Sequence, residues 1–286
     1  MSKPLGLVNR ILPFSAVDGP GNRFVIFLQG CNFNCISCHN PQTIGICDAC
    51  GVCVAECPGE ALQFAESGTT INWDQSRCQR CDTCIKVCPA DSNPHSQWLE
   101  LELLLEKIRR SAAFLSGVTV SGGEATQQPE FVFELFNSIK NDSSLKHLST
   151  MLDTNGSAES STWNKILPVT DGVMVDLKAY DDKVHQKLTG TSNVQVLQSI
   201  QYLLEVDKLF EVRLLIIPGW NDQESLLIKT AEWLSQQSTN ISIKILGFRQ
   251  HGVRSEYSHL QQATPEVLEK VSRTFHDFGF KRIQLV

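Results

Sequence analysis

Apolar positions follow two different periods along most of the chain. The apolar run at 24–28 and the segment Gly117-Val118-Thr119-Val120 indicate short strands. Apolar residues three or four positions apart at 101–112 and 131–139 indicate helices that bury one face. Further strands are predicted at 148–152, 172–178, 210–217, 241–248 and 280–286, and further helices at 160–167, 181–189, 193–205, 222–237 and from Pro265, after an N-cap at Thr264.

A strand followed by one or two helices, repeated along the chain, predicts an α/β fold with a parallel sheet. A full or partial β/α barrel is the economical closure of such a sheet. Functional groups in this architecture gather at the C-terminal ends of the strands. The segments predicted to meet there are 31–38, 121–124, 153–156, 176–178, 213–219 and 248–251.

Residues 46–95 interrupt this pattern, because cysteine, glycine and proline are frequent and apolar runs are short. We predict an inserted domain at 46–95 and a main β/α barrel domain formed by 1–45 and 96–286. The insert contains two runs of C-x2-C-x2-C-x3-C-P, the run of two-cluster bacterial ferredoxins, in which the fourth cysteine ligates the other cluster. The predicted sets are Cys47, Cys50, Cys53 and Cys88 for one cluster, and Cys78, Cys81, Cys84 and Cys57 for the other. Structural zinc is the alternative for paired C-x-x-C motifs.

Composition limits the environment and the partners of the chain. The formal net charge of −6 over 286 residues argues against a nucleic-acid or anionic-membrane partner, which would require a basic face. The first ten residues lack the apolar core of a signal peptide, and no apolar run approaches the roughly 18 residues of a membrane span. We therefore expect a cytoplasmic, reducing location, where thiols bind metals or react rather than form disulfides.

Three more cysteines follow the first buried strand, at Cys31, Cys35 and Cys38. Three thiolates can hold three irons of a [4Fe–4S] cluster and leave the fourth iron open to a substrate or cofactor. Four, four and three ligands together account for all 11 cysteines of the chain.

These three cysteines and several strand-end motifs together resemble a known family. The motifs are Val17-Asp18-Gly19-Pro20-Gly21 with Arg23, Ser121-Gly122-Gly123-Glu124, Asp153-Thr154-Asn155-Gly156, Asp176-Leu177-Lys178 and Ile217-Pro218-Gly219-Trp220. The chain resembles the radical S-adenosylmethionine (SAM) enzymes, and more narrowly the glycyl-radical-enzyme activating enzymes of the pyruvate formate-lyase type. The resemblance implies a partial (β/α)6-type barrel with a ferredoxin-like insert that carries two [4Fe–4S] clusters.

The resemblance also implies the reaction and its partners. SAM would chelate the open iron of a third [4Fe–4S] cluster. One electron from that cluster would cleave SAM and produce a 5′-deoxyadenosyl radical. That radical would take a hydrogen from a glycine Cα of a glycyl radical enzyme. A flavodoxin- or ferredoxin-type protein would donate the electron. The residues implied in catalysis are Cys31, Cys35, Cys38, Lys178 and Arg213.

The implied SAM contacts come from several strand ends. They are Ser37, Cys38, His39, Asn40, Gly122, Gly123, Glu124, Asp153, Asp176, Leu177, Lys178 and Arg213. The glycines would permit close backbone approach, and Glu124 would pair with the SAM ammonium group. A monovalent cation is implied near Asp153, Thr154, Met174 and Asp176, although Met174 could equally be core packing. Lys178 and Arg213 could each form an ordinary ion pair instead.

The sequence departs from the family pattern at two places. Ser37 stands where an aromatic residue usually precedes the last cluster cysteine, and either Arg249 or His251 would take the role of the family's histidine after the sixth strand. Asp18 would meet the partner's glycine loop or serve as a turn aspartate. Two other functions stay open, a radical SAM enzyme acting on a small molecule or nucleoside, and an iron–sulfur electron carrier.

Overall fold

The structure, a computed structural model, describes residues 4–286. In chain order its strands and helices are β1 Leu5–Ser15, β2 Arg23–Leu28, α1 Val52–Ala55, β3 Leu62–Phe64, β4 Ile71–Trp73, α2 Thr83–Lys86, β5 Gln97–Glu100, α3 Leu101–Ser111, β6 Gly117–Gly122, α4 Pro129–Asn141, β7 Ser149–Thr154, α5 Ser160–Ile166, β8 Gly172–Asp176, α6 Asp182–Thr189, α7 Val194–Glu205, β9 Leu209–Ile216, α8 Glu224–Gln237, β10 Ile243–Gly247, α9 Pro265–Asp277 and β11 Ile283–Leu285. Each strand and helix predicted from the apolar pattern is confirmed, with bounds that differ by a few residues.

Nine strands form the central sheet, in the order β11-β10-β9-β8-β7-β6-β2-β1-β5. Neighbouring strands from β2 through β11 in this order run parallel, which confirms the predicted α/β fold with a mostly parallel sheet. The two ends of the order are β5 and β11, so the sheet is open rather than a closed barrel. Its parallel part brings the C-terminal ends of six consecutive neighbours, β2 and β6–β10, to one edge.

Two strands at one end of the sheet are antiparallel and were not predicted. The strand β1 pairs antiparallel with both β2 and the edge strand β5. The residues of β1 show no regular alternation of buried and exposed positions, and β5 is mostly exposed. Strands of this kind form because a partner strand lies beside them, so the local apolar pattern does not indicate them.

The alternating faces of the parallel strands separate the core from the site. On β6, Val118 and Val120 lie in the main hydrophobic core. Thr119 and Ser121, which alternate with these valines, lie on the opposite face, where Thr119 accepts a hydrogen bond from Arg23 and Ser121 donates one to Asp153. The period of two along each strand thus puts apolar groups against the helices and polar groups on the face that carries the site.

Arg23 has a structural role within the Asp-Gly-Pro-Gly motif region. The side chain is fully buried, and burial lowers its pKa to about 10. It donates to the hydroxyls of Thr119 and Ser149 at 3.0 and 2.6 Å, and to the carbonyls of Val118 and Ser149 at 2.7 and 3.0 Å. This one guanidinium therefore joins β2, β6 and β7 near their N-terminal ends.

Residues 46–95 contain the β3–β4 hairpin, which is a two-stranded sheet outside the central one. An apolar cluster in this segment is built on Cys53, Leu62 and Cys84. Thr43 and Ser92, near the two ends of the segment, form an isolated antiparallel bridge. The predicted division of the chain into two domains stays a prediction. Within residues 4–286, no helix has both the length and the apolar character needed to cross a bilayer.

Candidate active site

A cavity of about 270 Å³ opens at the C-terminal ends of the parallel strands. The strands β2 and β6–β10 or the loops after them all contribute to its wall. The lining residues are Cys31, Phe33, Cys35, Ser37, Cys38, His39, Asn40, Thr43, Ile44, Ser121, Gly122, Gly123, Asp153, Thr154, Asn155, Asp176, Lys178, Arg213, Leu215, Leu246 and Gly247. The structure therefore brings most of the predicted site residues into one space.

The three cysteines of the first loop lie together on this wall. Burial raises the pKa of the Cys31 thiol to about 12 and that of the Cys35 thiol to about 11, and the neighbouring cysteines contribute to the same increase. The backbone of the loop is fixed to the end of α6, since Asn34 and Ile36 donate to the carbonyls of Thr189 and Leu188, each at 2.9 Å. Deprotonation of these thiols would require a positive partner, which the irons of a bound cluster would supply.

Gly122 and Gly123 are required by the packing of two strand ends. A Cβ on Gly122, which has φ +127°, would lie 2.2 Å from the backbone nitrogen of Leu28. A Cβ on Gly123 would lie 2.3 Å from the carbonyl oxygen of Gly30. Both glycines also line the cavity, so their lack of a side chain keeps the cysteine loop and the end of β6 close together.

The side chain of Glu124 points into the protein and does not line the cavity. Its Oε1 accepts hydrogen bonds from the Thr126 backbone at 2.9 Å and from the hydroxyls of Thr126 and Thr154, each at 2.7 Å. Its Oε2 accepts from the Asn155 backbone at 2.6 Å. Burial raises the pKa of Glu124, and these four donors oppose that increase. The carboxylate ties the loop after β6 to the loop after β7, and the predicted contact with the SAM ammonium group stays a prediction.

Arg213 is held by three side chains at the floor of the cavity. Its Nε donates to Glu211 and one terminal nitrogen donates to Asp153, both at 2.9 Å, and the other contacts the Met174 sulfur at 2.8 Å. The Lys244 Nζ lies 3.8 Å from the Glu211 Oε1, so Lys244, Glu211, Arg213 and Asp153 form a row of alternating charges. Burial opposes the charge of Arg213, but the carboxylates raise its pKa above the ordinary value. A guanidinium has five N–H donors, so two remain for a ligand.

Lys178 and Asp176 form the second charged pair of the cavity, with 2.7 Å between the Lys178 Nζ and the Asp176 Oδ2. Burial lowers the pKa of Lys178, but Asp176 and the nearby Cys35 more than offset it, so the pKa lies above its ordinary value. The ammonium group therefore stays charged next to the cysteine loop. Leu177, between them, faces away and lines a separate small cavity against helix α8.

The four predicted cation ligands do not converge on one point in this structure. The Asp153 carboxylate and the Met174 sulfur contact Arg213, the Thr154 hydroxyl donates to Glu124, and Asp176 pairs with Lys178. A monovalent cation at this place stays a prediction.

The remaining predicted contacts divide between the cavity and its surroundings. Ser37, His39 and Asn40 line the cavity, and a ring nitrogen of His39 lies 2.9 Å from the carbonyl oxygen of Arg249. The side chains of Arg249 and His251 are exposed and neither lines the cavity. Asp18 lies elsewhere, where its carbonyl accepts from Thr119 and its carboxylate contacts the Ser15 hydroxyl.

Two cysteines of residues 46–95, Cys53 and Cys84, have raised pKa values, and cysteines of both runs are among the causes. Burial raises the pKa of Cys53 to about 11, and Cys47, Cys88 and Cys50 add to the increase. For Cys84 the raised pKa, also about 11, reflects burial and then Cys53, Cys57 and Cys78. Across residues 4–286, no three His, Cys, Asp or Glu side chains converge as ligands of a single ion. A cubane cluster places different demands on its ligands, because each cysteine binds a different iron.

Sequence reasoning missed three charged residues that the fold brings to the site. Glu211 accepts a hydrogen bond from Arg213, Lys244 pairs with Glu211, and Arg254 donates to the carbonyl of Cys35 at 3.1 Å. Glu211 stands two positions before Arg213 on a strand, so the period of two could have placed them on one face. Lys244 and Arg254 gave no such signal, since their contacts come from distant segments of the chain.

An open α/β sheet with three cysteines, a glycine pair and two buried cations around one cavity defines an enzyme of cofactor chemistry rather than a binding module. Residues 25–231 match the radical SAM superfamily, and the chain belongs to that superfamily. Membership implies SAM and one [4Fe–4S] cluster, and the three cysteines of the cavity fit this donor set.

Curated relatives and solved structures agree with this assignment. The chain is 28% identical over 284 residues to the isethionate sulfite-lyase activating enzyme of Oleidesulfovibrio alaskensis, covering 92% of this chain and 89% of the relative. It is 28% identical over 290 residues to the pyruvate formate-lyase-activating enzyme of Streptococcus mutans, covering 96% and 92%. The predicted resemblance to activating enzymes is thereby confirmed. Streptococcus suis SuiB bound to its precursor peptide SuiA shares the fold, with a TM-score of 0.57, 13% identity and coverage of 92% of this chain and 48% of SuiB.

Proposed function

We propose that this protein is an activating enzyme that installs a glycyl radical on a partner enzyme. The observation that carries the proposal is one cavity that combines Cys31, Cys35 and Cys38 with Gly122, Gly123 and two buried cations. The names of the curated relatives, which are activating enzymes for several lyases and a dehydratase, support the same conclusion. A bound, reduced cluster would supply one electron for the cleavage of SAM to methionine and a 5′-deoxyadenosyl radical, and that radical would take a hydrogen from a glycine Cα of the partner.

The residues of the chain bind and orient the cofactor. Cys31, Cys35 and Cys38 would hold three irons, and Ser37, His39 and Asn40 line the cavity with them. Lys178 and Arg213 would hold the SAM carboxylate by charge, with the two unused N–H groups of Arg213 as donors. Asp153 and Asp176 keep these cations in place, and Glu124 acts through the backbone of its two loops rather than by direct contact.

Residues 46–95 form, in this proposal, an inserted ferredoxin-like domain with two further [4Fe–4S] clusters. Cys88 and Cys84 of the second run lie near Cys53 of the first, and this proximity of the two runs supports an arrangement in which they share their cluster ligands. The barrel domain then consists of 1–45 and 96–286. A flavodoxin- or ferredoxin-type donor would deliver electrons to the insert.

The first experiment measures SAM cleavage by the anaerobically reconstituted protein. We expect 5′-deoxyadenosine and methionine after reduction, and we expect Cys31→Ala to abolish them while the insert keeps its clusters. No cleavage by a protein that contains all three clusters would contradict the radical SAM reaction.

The second experiment identifies the partner. Electron paramagnetic resonance should detect a carbon radical on a glycyl radical enzyme after incubation with the reduced protein and SAM. The initial set of candidates consists of the enzymes named by the relatives: pyruvate formate-lyase, isethionate sulfite-lyase and sulfopropanediol dehydratase. Cleavage of SAM without a radical on any glycyl radical enzyme would favour a small-molecule substrate.

A further inference from the structure

Arg254 connects three parts of the chain that are far apart in sequence. Its NH2 group donates to the Cys35 carbonyl at 3.1 Å, within the three-cysteine loop. Its NH1 group pairs with the Asp91 carboxylate at 3.3 Å, at the base of the insert. Its own segment follows β10, and the guanidinium carbon lies 5.1 Å from the centre of the Tyr257 ring.

The segment that carries Arg254 is anchored independently of these contacts. Leu260 and Phe248 lie in an apolar cluster with Ile36 of the three-cysteine loop. Gly252, with φ +82°, packs so closely that a Cβ would lie 2.5 Å from the His39 carbonyl oxygen. Arg254 therefore reaches the insert from a fixed position, with 15% of its side chain exposed.

Asp91 belongs to the narrow base through which the insert joins the main domain. Its carbonyl accepts a hydrogen bond from the Gly45 backbone at 3.0 Å, and Ser92 bridges to Thr43. Asp91 also follows Cys88 by three residues in the chain. The ion pair between Arg254 and Asp91 therefore lies close in sequence to a predicted cluster ligand.

We infer that Arg254 is a positioning residue that locks the base of the cysteine-rich insert onto the three-cysteine loop of the active site. Arginine suits this role because its planar fork can donate to two acceptors in fixed directions, which the single ammonium of lysine cannot do. The role rests on the proposed function, since it sets how the insert's clusters approach the SAM-binding cluster.

The cationic charge of Arg254 also lies beside the predicted cluster ligands, because its NH2 group donates to the carbonyl oxygen of Cys35. A positive charge near an iron–sulfur site favours its reduced form, because charge and hydrogen bonds around the sulfurs set the potential. Mechanical and electrostatic effects of Arg254 can therefore be separated by substitution.

The test compares Arg254→Lys, Arg254→Gln and Asp91→Asn in the cluster-loaded protein, with the exposed Arg273→Gln as the charge-matched control. Hydrogen–deuterium exchange at 43–46 and 88–93 should become at least several-fold faster in all three variants, but not in the control. The reduction potential of the three-cysteine cluster should shift to a more negative value only in Arg254→Gln, because Arg254→Lys keeps the charge. Paramagnetic coupling between reduced clusters should change wherever exchange changes.

Two results would overturn the inference. One is a rate of hydrogen–deuterium exchange at 43–46 and 88–93 that equals the wild-type rate in both Arg254 variants. The other is faster exchange in Arg254→Lys without any change in Asp91→Asn, which would mean that the ion pair does not form the tie. Neither result depends on SAM cleavage, so a failure of the proposed reaction would be recognised separately by the cleavage assay.

Discussion

Replacement of Glu124 by glutamine tests how the Gly-Gly-Glu motif works in this protein. The substitution keeps the shape but converts one carboxylate oxygen to an NH2 group. If the amide oxygen takes the place of Oε1, it keeps three donors, two from Thr126 and one from Thr154. The NH2 group then faces the backbone N–H of Asn155, so two buried donors meet.

The magnitude follows from these four contacts. The three remaining bonds each weaken by about 1 kcal/mol when the acceptor loses its charge. Against this, a buried carboxylate no longer has to be desolvated, which is worth several kcal/mol, and we take the two effects as offsetting. The unsatisfied Asn155 N–H then dominates, at about 1–3 kcal/mol. A loss of this size should lower the melting temperature of the loaded protein by roughly 2–10 °C.

The decisive assay compares two ligands. SAM carries the amino and carboxyl groups, and 5′-methylthioadenosine lacks both. If Glu124 supports the loops, both ligands should lose affinity by the same factor, up to roughly 100-fold. Glu130→Gln, an exposed glutamate in an ion pair with Lys165, is the matched control. A wild-type melting temperature together with weaker binding of SAM alone would refute this reasoning and indicate direct contact with the ammonium group.

Three further substitutions separate structural from binding roles. Arg23→Lys leaves two fewer donors for buried acceptors, so the free energy of unfolding should fall by about 3–6 kcal/mol. The melting temperature should therefore fall by roughly 6–20 °C, and the affinity for SAM should stay unchanged. Glu211→Gln should weaken binding of SAM several-fold and leave methylthioadenosine binding unchanged, because it frees Arg213, measured by equilibrium binding. Gly123→Ala should remove the SAM-binding cluster but leave the insert's clusters, measured by iron content and paramagnetic resonance, because the new Cβ collides with the backbone before Cys31.

Each of these variants has a control or a contrary result. The control for Arg23→Lys is Arg273→Lys, at an exposed position, which should have the wild-type melting temperature. Equal loss of both ligands in Glu211→Gln would mean that Glu211 acts on the whole cavity rather than on Arg213. A Gly123→Ala protein with a full set of three clusters would show that the strand ends can separate without harm to the loop.

The apolar pattern predicted the parallel core well because each strand and helix there carries its own signal. The run of β2 and the helical spacing of α3 are local properties, and burial follows from them directly. The antiparallel strands β1 and β5 were not predicted, because the pairing of β5 with β1 joins segments that are far apart in the chain. The cysteine spacing likewise indicated metal sites from local sequence alone.

The sequence by itself determined the α/β class, the succession of strands and helices along the parallel part of the chain, and the cysteine spacing that predicts iron–sulfur sites. The tertiary structure decided which groups meet at the site. It placed Glu124 between two loops, surrounded Arg213 with Glu211 and Asp153, and brought Arg254 to Cys35 across more than 200 residues. The physical reason is that periodicity and spacing act between near neighbours, whereas buried charges find their partners only when the chain has folded.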